Sequence, residues 1–414
     1  MIDRETFQIF FRESYGQVCA LLVRRFGDLV LAQEAIQEAF IVALNKWPRN
    51  GPPRNVPGWI FAIARHKAID ILRREQLRDK KYRSLHSGQS LFTERDGPDD
   101  VWDEEEIPDE RLRLIFTCCH PVLNQESRIA LTLHTLAGLT TAEIAAAFLK
   151  SEPTIAQRIV RAKRKIRVAG VPFRVPALAE TPERLSSVLT VLYLIFNEGY
   201  SAHGGEQLMR KDLCEEAISL AGMLASLMPD EPEVSAQLAL FCFQASRMSA
   251  RLNSLGEPVT LEHQDRGRWD SARIARGRVA LEHSLRTGGG GMYQLQAQIA
   301  GTHAAATTYE ETQWSRIVAF YESLLEYSPT PVIHLNLAVA IAMERGPSAG
   351  LAILDAADLA EPLAAYHWYH LARAELLAKV GDLEKSVCAF HRALSTCENE
   401  TERAFIRGRL DEIQ

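Results

Sequence analysis

The chain has 414 residues and a net charge of −6, and 47% of its residues are hydrophobic, which is enough for more than one packed core. It has no run of 18 apolar residues, and its N-terminal stretch is too charged for a secretory signal peptide, so we expect no transmembrane helix and no membrane partner. The seven cysteines are scattered and odd in number, which favours a reducing, cytoplasmic location over a disulfide framework.

Charge is unevenly distributed along the chain. Residues 1–175 contain 27 Lys and Arg against 22 Asp and Glu, whereas the remaining residues contain 20 against 31. Six basic residues lie among the ten residues 158–167. A basic segment in an acidic protein predicts that the first part of the chain meets a polyanion and that the second part does not.

Helical periodicity dominates the whole chain, and alternating strand patterns are missing, so the predicted fold class is all-α. Prolines, glycines and acidic runs divide this pattern into blocks. The predicted domains are a helical domain at 1–90, an acidic linker at 91–110, a compact helical domain at 111–172, a helical extension at 178–290 and a further helical domain at 291–414.

The first block contains two amphipathic segments, residues 26–47 and residues 57–75. Helical spacing in the first segment predicts a buried face, with polar residues elsewhere on the helix. The second segment begins with an apolar stretch and continues with a charged face. The predicted buried residues are Leu29, Ile36, Phe40, Ala43, Leu44 and Trp47, the polar residues outside them are Glu34, Gln37, Glu38 and Asn45, and the charged face holds His66, Lys67, Asp70, Arg73 and Arg74.

An acidic run separates this block from the next one. Ten of the residues at 93–110 are Asp or Glu, and the run also contains two prolines and a glycine. Such a composition predicts an extended linker that cannot bury itself.

The sharpest local pattern lies at residues 138–167. Thr140 and Glu143 form a capping box that predicts a helix starting at Thr141, and Ser151 can cap a second helix. An apolar stripe with helical spacing marks the buried side of that second helix. The stripe consists of Ile155, Ile159, Ala162 and Ile166.

The polar side of the second helix predicts a helix-turn-helix that places this helix in a DNA major groove. Its N-terminal residues would meet base edges, where Gln pairs with adenine and Arg with guanine, and its C-terminal basic residues would meet phosphates. The predicted DNA contacts are Ser151, Thr154, Gln157, Arg158, Arg161, Arg164 and Lys165. The alternative is an amphipathic helix whose charged face is simply solvated.

Three patterns contain residue types that can bind metals, phosphates or small ligands. The run Cys118, Cys119, His120 lacks a second ligand pair, which favours a structural role over a metal site. The TGGGG run at 287–291 has neither a following Lys-Ser/Thr nor a preceding strand, which favours a flexible surface loop. A mixed charged and aromatic group is either a small-ligand pocket or, the favoured interpretation, a buried salt-bridge corner; it comprises Gln264, Asp265, Arg268, Trp269 and Asp270. We find no catalytic set and expect no enzyme activity, no metal and no cofactor.

The end of the chain carries one repeat-like pattern. Small, turn and aromatic residues fall where a tetratricopeptide repeat needs them, at Ala374, Gly381, Ser386, Phe390 and Ala393. A weaker copy occurs at Gly350, Leu354 and Ala357. Because only one repeat is clear, we expect the rest of the tail to pack as irregular helix pairs.

These motifs together resemble the extracytoplasmic-function sigma factors of bacterial RNA polymerase, a group within the sigma-70 superfamily. GDLVLAQEAIQEAFIVALNKW is similar to their region 2 polymerase-docking helix, WIFAIARHKAIDILRR to the helix that handles the −10 element, and GLTTAEIAAAFLKSEPTIAQRIVRAKRKIR to region 4, which reads the −35 element. The resemblance implies polymerase contacts at Asp28, Glu34, Gln37, Glu38, Phe40 and Trp47, and −10 contacts at Trp59, Arg65, Lys67, Arg73 and Arg74. Trp59 is either a base-stacking residue or a core tryptophan.

The tail resembles the long, tetratricopeptide-like C-terminal extension of one lineage of these factors. The segments that carry this resemblance include NEGYSAHGGEQLMRKDL, HQDRGRWDSARI, YQLQAQIAGTHA and HLNLAVAIAMERGPSAGLAILD. It implies a fused regulatory domain and partners comprising core RNA polymerase, double-stranded and melted promoter DNA, and a regulatory protein or small ligand on the tail. The alternative function is a stand-alone helix-turn-helix regulator with a tetratricopeptide-type sensor or adaptor domain.

Overall fold

The computed structural model describes residues 4–83, 107–148, 150–177, 180–201, 209–254, 256–356 and 359–414. Within these ranges the chain forms eighteen α-helices and no strand, which confirms the all-α prediction. None of the described helices combines the length and the hydropathy that crossing a bilayer requires. The chain divides into two compact units, Met1–Val191 and Leu192–Gln414, and the finer predicted domain boundaries stay predictions.

The first unit contains two groups of helices. Helices α1, α2 and α3 pack on one another, α4 packs on α1, and α5 and α6 both pack on α7. The boundary between the units falls within α8. The helices are α1 (Arg4–Phe26), α2 (Leu29–Asn50), α3 (Val56–Arg83), α4 (Ile107–Cys118), α5 (Gln125–Thr135), α6 (Thr141–Ala147), α7 (Glu152–Val168) and α8 (Thr181–Tyr200).

Helix α2 buries most of its predicted apolar face. Its Trp47 lies against Phe7 of α1 and Trp59 of α3, with 5.5 Å between ring centroids in each pair. The prediction for Leu44 is wrong, because its side chain is 53% exposed. Each residue turns an α-helix by about 100°, so Leu44 lies past the edge of the stripe centred on Ile36.

At its end, the acidic run is not the extended, unburied segment that its composition predicts. Helix α4 already begins at Ile107, and Glu110 is buried. Its Oε1 lies 2.9 Å from Arg113 Nη1 and 3.3 Å from Arg24 Nη1, so two cations stabilise the buried carboxylate. Residues 91–106 of the linker prediction lie outside the described residues.

The two helix groups of the first unit are in close contact. A Cβ on Gly16 of α1 would lie 2.6 Å from the carbonyl oxygen of Leu136, so only glycine allows this approach. The buried amide of Gln33 in α2 donates to Thr135 Oγ1 of α5 at 3.2 Å. These contacts pack α1 and α2 directly against the helix-turn-helix part of the chain.

The second unit is built from successive helix pairs. Helix α10 is almost wholly buried and packs against α9, α11 and α12, and each later helix packs on the next. The helices are α9 (Lys211–Leu227), α10 (Pro232–Ser246), α11 (Ser271–Thr287), α12 (Met292–Ala305), α13 (Trp314–Tyr327), α14 (Pro331–Arg345), α15 (Pro347–Ala356), α16 (His367–Val380), α17 (Leu383–Thr396) and α18 (Glu400–Asp411).

The predicted repeat pattern gives the packing of α16 on α17. Ala374, Phe390 and Ala393 are buried, and the Ser386 hydroxyl donates to the Ala374 carbonyl at 2.9 Å. Gly381 ends α16 in the left-handed region, with φ of 84°. The weaker copy places Gly350 and Leu354 in the α14–α15 contact; Ala357 lies outside the described residues.

The glycine run forms the loop between α11 and α12, as predicted. Its last residue, Gly291, leaves room for a carboxylate, because a Cβ there would lie 2.3 Å from Glu233 Cδ. The Glu233 carboxylate accepts the backbone N–H groups of Tyr293 and Gln294 at 2.8 and 3.0 Å. The chain therefore supplies its own anion at the start of α12.

The cysteine pair at 118–119 and the charged and aromatic group around Trp269 both have structural roles. Cys118 and Cys119 are buried, and Cys119 Sγ lies 3.4 Å from Thr132 Oγ1. Trp269 is buried with the guanidinium groups of Arg247 and Arg266 over its ring.

The residues around Trp269 form a corner, but not a buried salt bridge. Asp265 and Asp270 are exposed, and both accept backbone N–H groups in their own turns. The buried Gln264 side chain donates to the Val259 carbonyl at 3.1 Å. Asp270 does pair with Arg273 at 3.1 Å, but at the surface. Cation–π contacts and hydrogen bonds hold the buried part of the corner, so the prediction of a buried salt bridge is wrong.

Candidate nucleic-acid interface

The corner between α6 and α7 forms where the capping signals predict it. The Thr140 hydroxyl accepts the Glu143 N–H at 3.1 Å, and the Glu143 carboxylate accepts the Thr140 N–H at 2.8 Å. Ser151 occupies the N-cap position of α7 but does not cap it, because its hydroxyl bonds Thr154 Oγ1 at 2.7 Å. A bond from Thr141 Oγ1 to Glu152 at 2.8 Å joins the two helices instead.

Helix α7 separates a buried stripe from a cationic face. Ile155, Ile159, Ala162 and Ile166 are all buried, as predicted. Of the predicted DNA contacts, all except Arg158 are exposed: Ser151, Thr154, Gln157, Arg161, Arg164 and Lys165. This face is free of the protein core and can approach a phosphate backbone.

Arg158 differs from its neighbours on α7. Its Nη2 lies 2.6 Å from Glu126 Oε2 at the start of α5, and its side chain is only 20% exposed. Glu126, Asn124 and Ser127 line a groove in front of α7. The sequence gives no sign that Glu126 meets Arg158, because only the tertiary structure brings α5 alongside α7.

A third side of α7 turns toward the other helix group. Lys163 is half-buried near Cys19, Cys118 and Asp28, and burial lowers its pKa. Arg167 Nη2 donates to both carboxylate oxygens of Asp28, at 2.8 and 2.7 Å. Together with Arg158, three of the six basic residues at 158–167 therefore make contacts within the protein.

All the residues predicted to contact the −10 element lie on α3, but they differ in how exposed they are. Arg73 and Arg74 are exposed, and Lys67 Nζ lies 3.5 Å from Glu38 Oε2 of α2. Arg65 is half-buried. Trp59 is half-buried against Trp47, so packing and partial exposure coexist at this ring.

The predicted polymerase-binding residues of α2 fall into two groups. Glu34, Gln37 and Glu38 are exposed, whereas Phe40 and Trp47 are 4% and 2% exposed. The prediction of direct contacts by Phe40 and Trp47 is therefore corrected: they hold α2 on α1 and α3.

Asp28 has a structural role at the start of α2. Its carboxylate accepts the N–H groups of Val30 and Leu31 at 2.7 and 3.2 Å, which caps the helix. The same carboxylate binds Arg167, so one side chain fixes both the start of α2 and the end of α7.

The exposed side of α2 is more apolar than a solvated helix face needs to be. Val30, Ile41 and Leu44 are 39%, 52% and 53% exposed. We call these three residues the α2 apolar strip. It lies beside the exposed Glu34, Gln37 and Glu38, which gives the helix an outward face suited to a protein partner. Of these three residues, only Leu44 belongs to the buried face that the sequence predicts.

Comparison with known families assigns both parts of the first unit. Residues 10–78 match the family described as Sigma-70 region 2, and residues 113–166 match Sigma-70, region 4. The chain belongs to the sigma-70 family. These regions give it a promoter-recognition role in transcription initiation, and they point to a non-catalytic factor. The two regions followed by a further C-terminal domain match an extracytoplasmic-function sigma factor that carries a C-terminal extension.

The extension is shared with other proteins. Residues 184–285 of this sigma factor match a family of unknown function (DUF6596). The sigma factor is also 40% identical to an uncharacterized protein of Rhizobium meliloti. The alignment spans 402 residues, which is 96% of this chain and 93% of the relative. The relation of the extension to tetratricopeptide repeats stays a prediction.

Proposed function

We propose that this sigma factor docks on core RNA polymerase through the outward face of α2. The observation that carries the proposal is the α2 apolar strip next to three exposed polar residues on a helix whose other side is the bundle core. Apolar side chains on a rigid helix give a partner contact area at little entropic cost. The neighbouring carboxylates favour a basic partner surface.

The two DNA-binding parts follow from the exposed cations. We assign α3, with Arg73 and Arg74, to the −10 element and α7, with Arg161 and Arg164, to the −35 element. Each part offers few contacts, so the free protein should bind promoter DNA weakly. Docking on the polymerase raises the effective concentration of each part at its element. The acidic linker would lie in the basic RNA-exit path and imitate nucleic acid, by analogy with the family.

A pair of matched variants tests the polymerase contact. Leu44→Asp places a charge in the α2 apolar strip, and Leu383→Asp is its control, because Leu383 is similarly exposed at 51% in the second unit. Capture by core polymerase and transcription from a two-element promoter should fall at least tenfold for Leu44→Asp and stay unchanged for Leu383→Asp. Equal capture of both variants contradicts the docking face. Tight promoter binding without polymerase would support the stand-alone regulator instead.

The second unit is proposed to regulate this activity as a fused domain. Its share of the chain is the acidic one, with 20 Lys and Arg against 31 Asp and Glu after residue 175, which suits a regulatory role better than binding to DNA. A regulatory protein or a small ligand on this unit is the expected input.

A further inference from the structure

Three side chains with metal-binding chemistry meet at the end of the second unit. His367 begins α16, Cys397 follows α17, and Glu402 lies in the first turn of α18. The His367 Nε2 atom is 3.0 Å from Glu402 Oε2, and Cys397 Sγ is 3.8 Å from the same oxygen. The three ligand atoms all lie within 4.8 Å of one another, the one such group found among the residues that the structure describes.

The group is buried and incompletely satisfied. Cys397 and Glu402 are 3% and 4% exposed, and the His367 side chain is 18% exposed. Glu402 Oε1 and His367 Nε2 are both buried without a hydrogen-bond partner within the described ranges. The imidazole thus approaches the carboxylate at ion-pair distance without hydrogen-bond geometry. Buried polar atoms in this condition are unfavourable unless something else binds them.

We propose that His367, Cys397 and Glu402 bind one divalent transition-metal ion of the zinc class. Nitrogen, sulfur and oxygen donors together suit zinc, whereas magnesium and calcium prefer oxygen alone. Zinc–ligand distances of about 2.0–2.3 Å put tetrahedral ligands roughly 3.3–3.6 Å apart. The separations of 3.0 and 3.8 Å need only small shifts to reach that range. Three protein ligands leave the fourth position to water.

The surrounding backbone is already fixed. Arg403 Nη1 donates to the carbonyls of Leu394 and Cys397 at 2.6 and 2.8 Å. The Asn399 side chain accepts the Glu402 N–H at 3.1 Å and caps α18. These bonds hold two ligands in place before any ion arrives, as supporting contacts around metal sites do.

The ion would connect the last three helices. His367 belongs to α16, and Glu402 belongs to α18, whose Ile406 packs into the same apolar cluster as Leu371 and Phe390. Binding to the folded form alone stabilises it. Metal would therefore raise the unfolding temperature of the second unit.

The test uses the full-length protein, stripped with a chelator, incubated with zinc and desalted. We expect about one zinc per chain by elemental analysis in the wild type and in Cys388→Ser, the control, because Cys388 is exposed and outside the group. Cys397→Ser and Glu402→Gln should lose at least tenfold in zinc affinity. Cobalt should give the wild type a near-ultraviolet thiolate charge-transfer band that Cys397→Ser lacks.

Two results would overturn the proposal. The first is equal zinc content in the wild type and in a folded Cys397→Ser, with folding checked by circular dichroism. The second is the lack of a cobalt–thiolate band in Cys388→Ser. This result can be obtained even if Cys397→Ser fails to fold. In either case the three residues form a closed ion-pair and thiol network without metal.

Discussion

Individual side chains on α7 have different tasks despite their similar chemistry. Arg158 binds Glu126, Arg167 binds Asp28, and Lys163 is half-buried. Arg161 and Arg164 are exposed and form no ion pair with another described residue. A cation that must first leave a carboxylate gives less to DNA binding than one that is already exposed. Arg161 is therefore the best single test of the −35 assignment.

We expect Arg161→Ala to weaken binding to the −35 element while binding to core polymerase persists. A base contact is worth about 1–3 kcal/mol, and a phosphate contact would reduce the salt slope by about one. Fluorescence anisotropy of the polymerase complex on promoter DNA, at several salt concentrations, measures both. The control is Arg278→Ala, which removes an exposed cation from the second unit. Loss of polymerase binding in Arg161→Ala would show that the assignment of α7 is wrong.

His303 predicts a pH dependence of the stability of the second unit. Burial and the neighbouring Arg247 and Arg266 lower its pKa to about 3, whereas an unfolded histidine has a pKa of about 6.5. Above a pH of about 6.5 the imidazole is neutral in the folded and the unfolded state, and between about 6.5 and about 3 only the unfolded chain gains the proton. Stability is therefore lost as the pH falls from 6.5 toward 3. From pH 7 to pH 5 this residue should lower the free energy of unfolding by about 2 kcal/mol.

Urea unfolding at the two pH values measures this effect. His303→Gln has no proton to gain, so its free energy of unfolding should fall by about 2 kcal/mol less between pH 7 and pH 5 than that of the wild type. Equal losses in the two proteins would show that His303 does not control the acid sensitivity.

At the scale of elements, α2 and α7 each present three sides. One side is core, one faces outward, and the third meets the other element through Asp28 and Arg167. The sequence predicts the core stripe of α7 correctly because its apolar residues keep a strict helical spacing. It predicts α2 less well, because apolar residues surround most of that helix and only neighbouring helices decide which are covered. Leu44 is the clearest example.

Breaking the contact between these elements should separate two roles of Asp28. Asp28→Ala removes the α2 cap and should lower the free energy of unfolding by about 1 kcal/mol. Arg167→Ala should cost less, because it loses only the exposed ion pair, worth at most about 1 kcal/mol, whereas Asp28→Ala loses both the cap and the ion pair. If Asp28 contacts polymerase, Arg167→Ala should also raise polymerase affinity. Urea unfolding and polymerase titration measure the two effects; equal stability losses would contradict the capping role.

For the whole molecule, the extension begins on the region 4 part of the first unit. Arg184 Nη2 donates to the Phe116 carbonyl at 2.7 Å, and Ser187 donates to the Cys119 carbonyl at 2.7 Å. Arg128 of α5 donates to Ser187 Oγ at 2.8 Å. The first half of α8 thus belongs structurally to the promoter-binding unit.

A truncation after Val191 respects these contacts and removes the second unit. We expect promoter-specific transcription to change severalfold, because that unit is proposed to regulate the first. Single-round transcription with core polymerase measures the effect, and circular dichroism checks that the remaining helices are folded. A rate equal to that of the full chain would exclude the regulatory role under those conditions.

The sequence by itself determined the helices, the capping box at Thr140, the buried stripe of α7 and the resemblance to sigma regions 2 and 4. These features depend on residues within a few turns of one another, so local spacing and capping chemistry suffice to specify them. The glycine loop and the close packing of α16 on α17 were predictable for the same reason.

Only the tertiary structure decided which of these residues are exposed or already paired. Glu126 reaches Arg158, Asp28 reaches Arg167, and the α2 apolar strip stays outside because α1 and α3 pack on the other side of the helix. Each depends on elements that are distant along the chain, and their relative placement follows from the packing of the whole unit. The metal-binding chemistry at Cys397 has the same origin, since its neighbours come from two other helices.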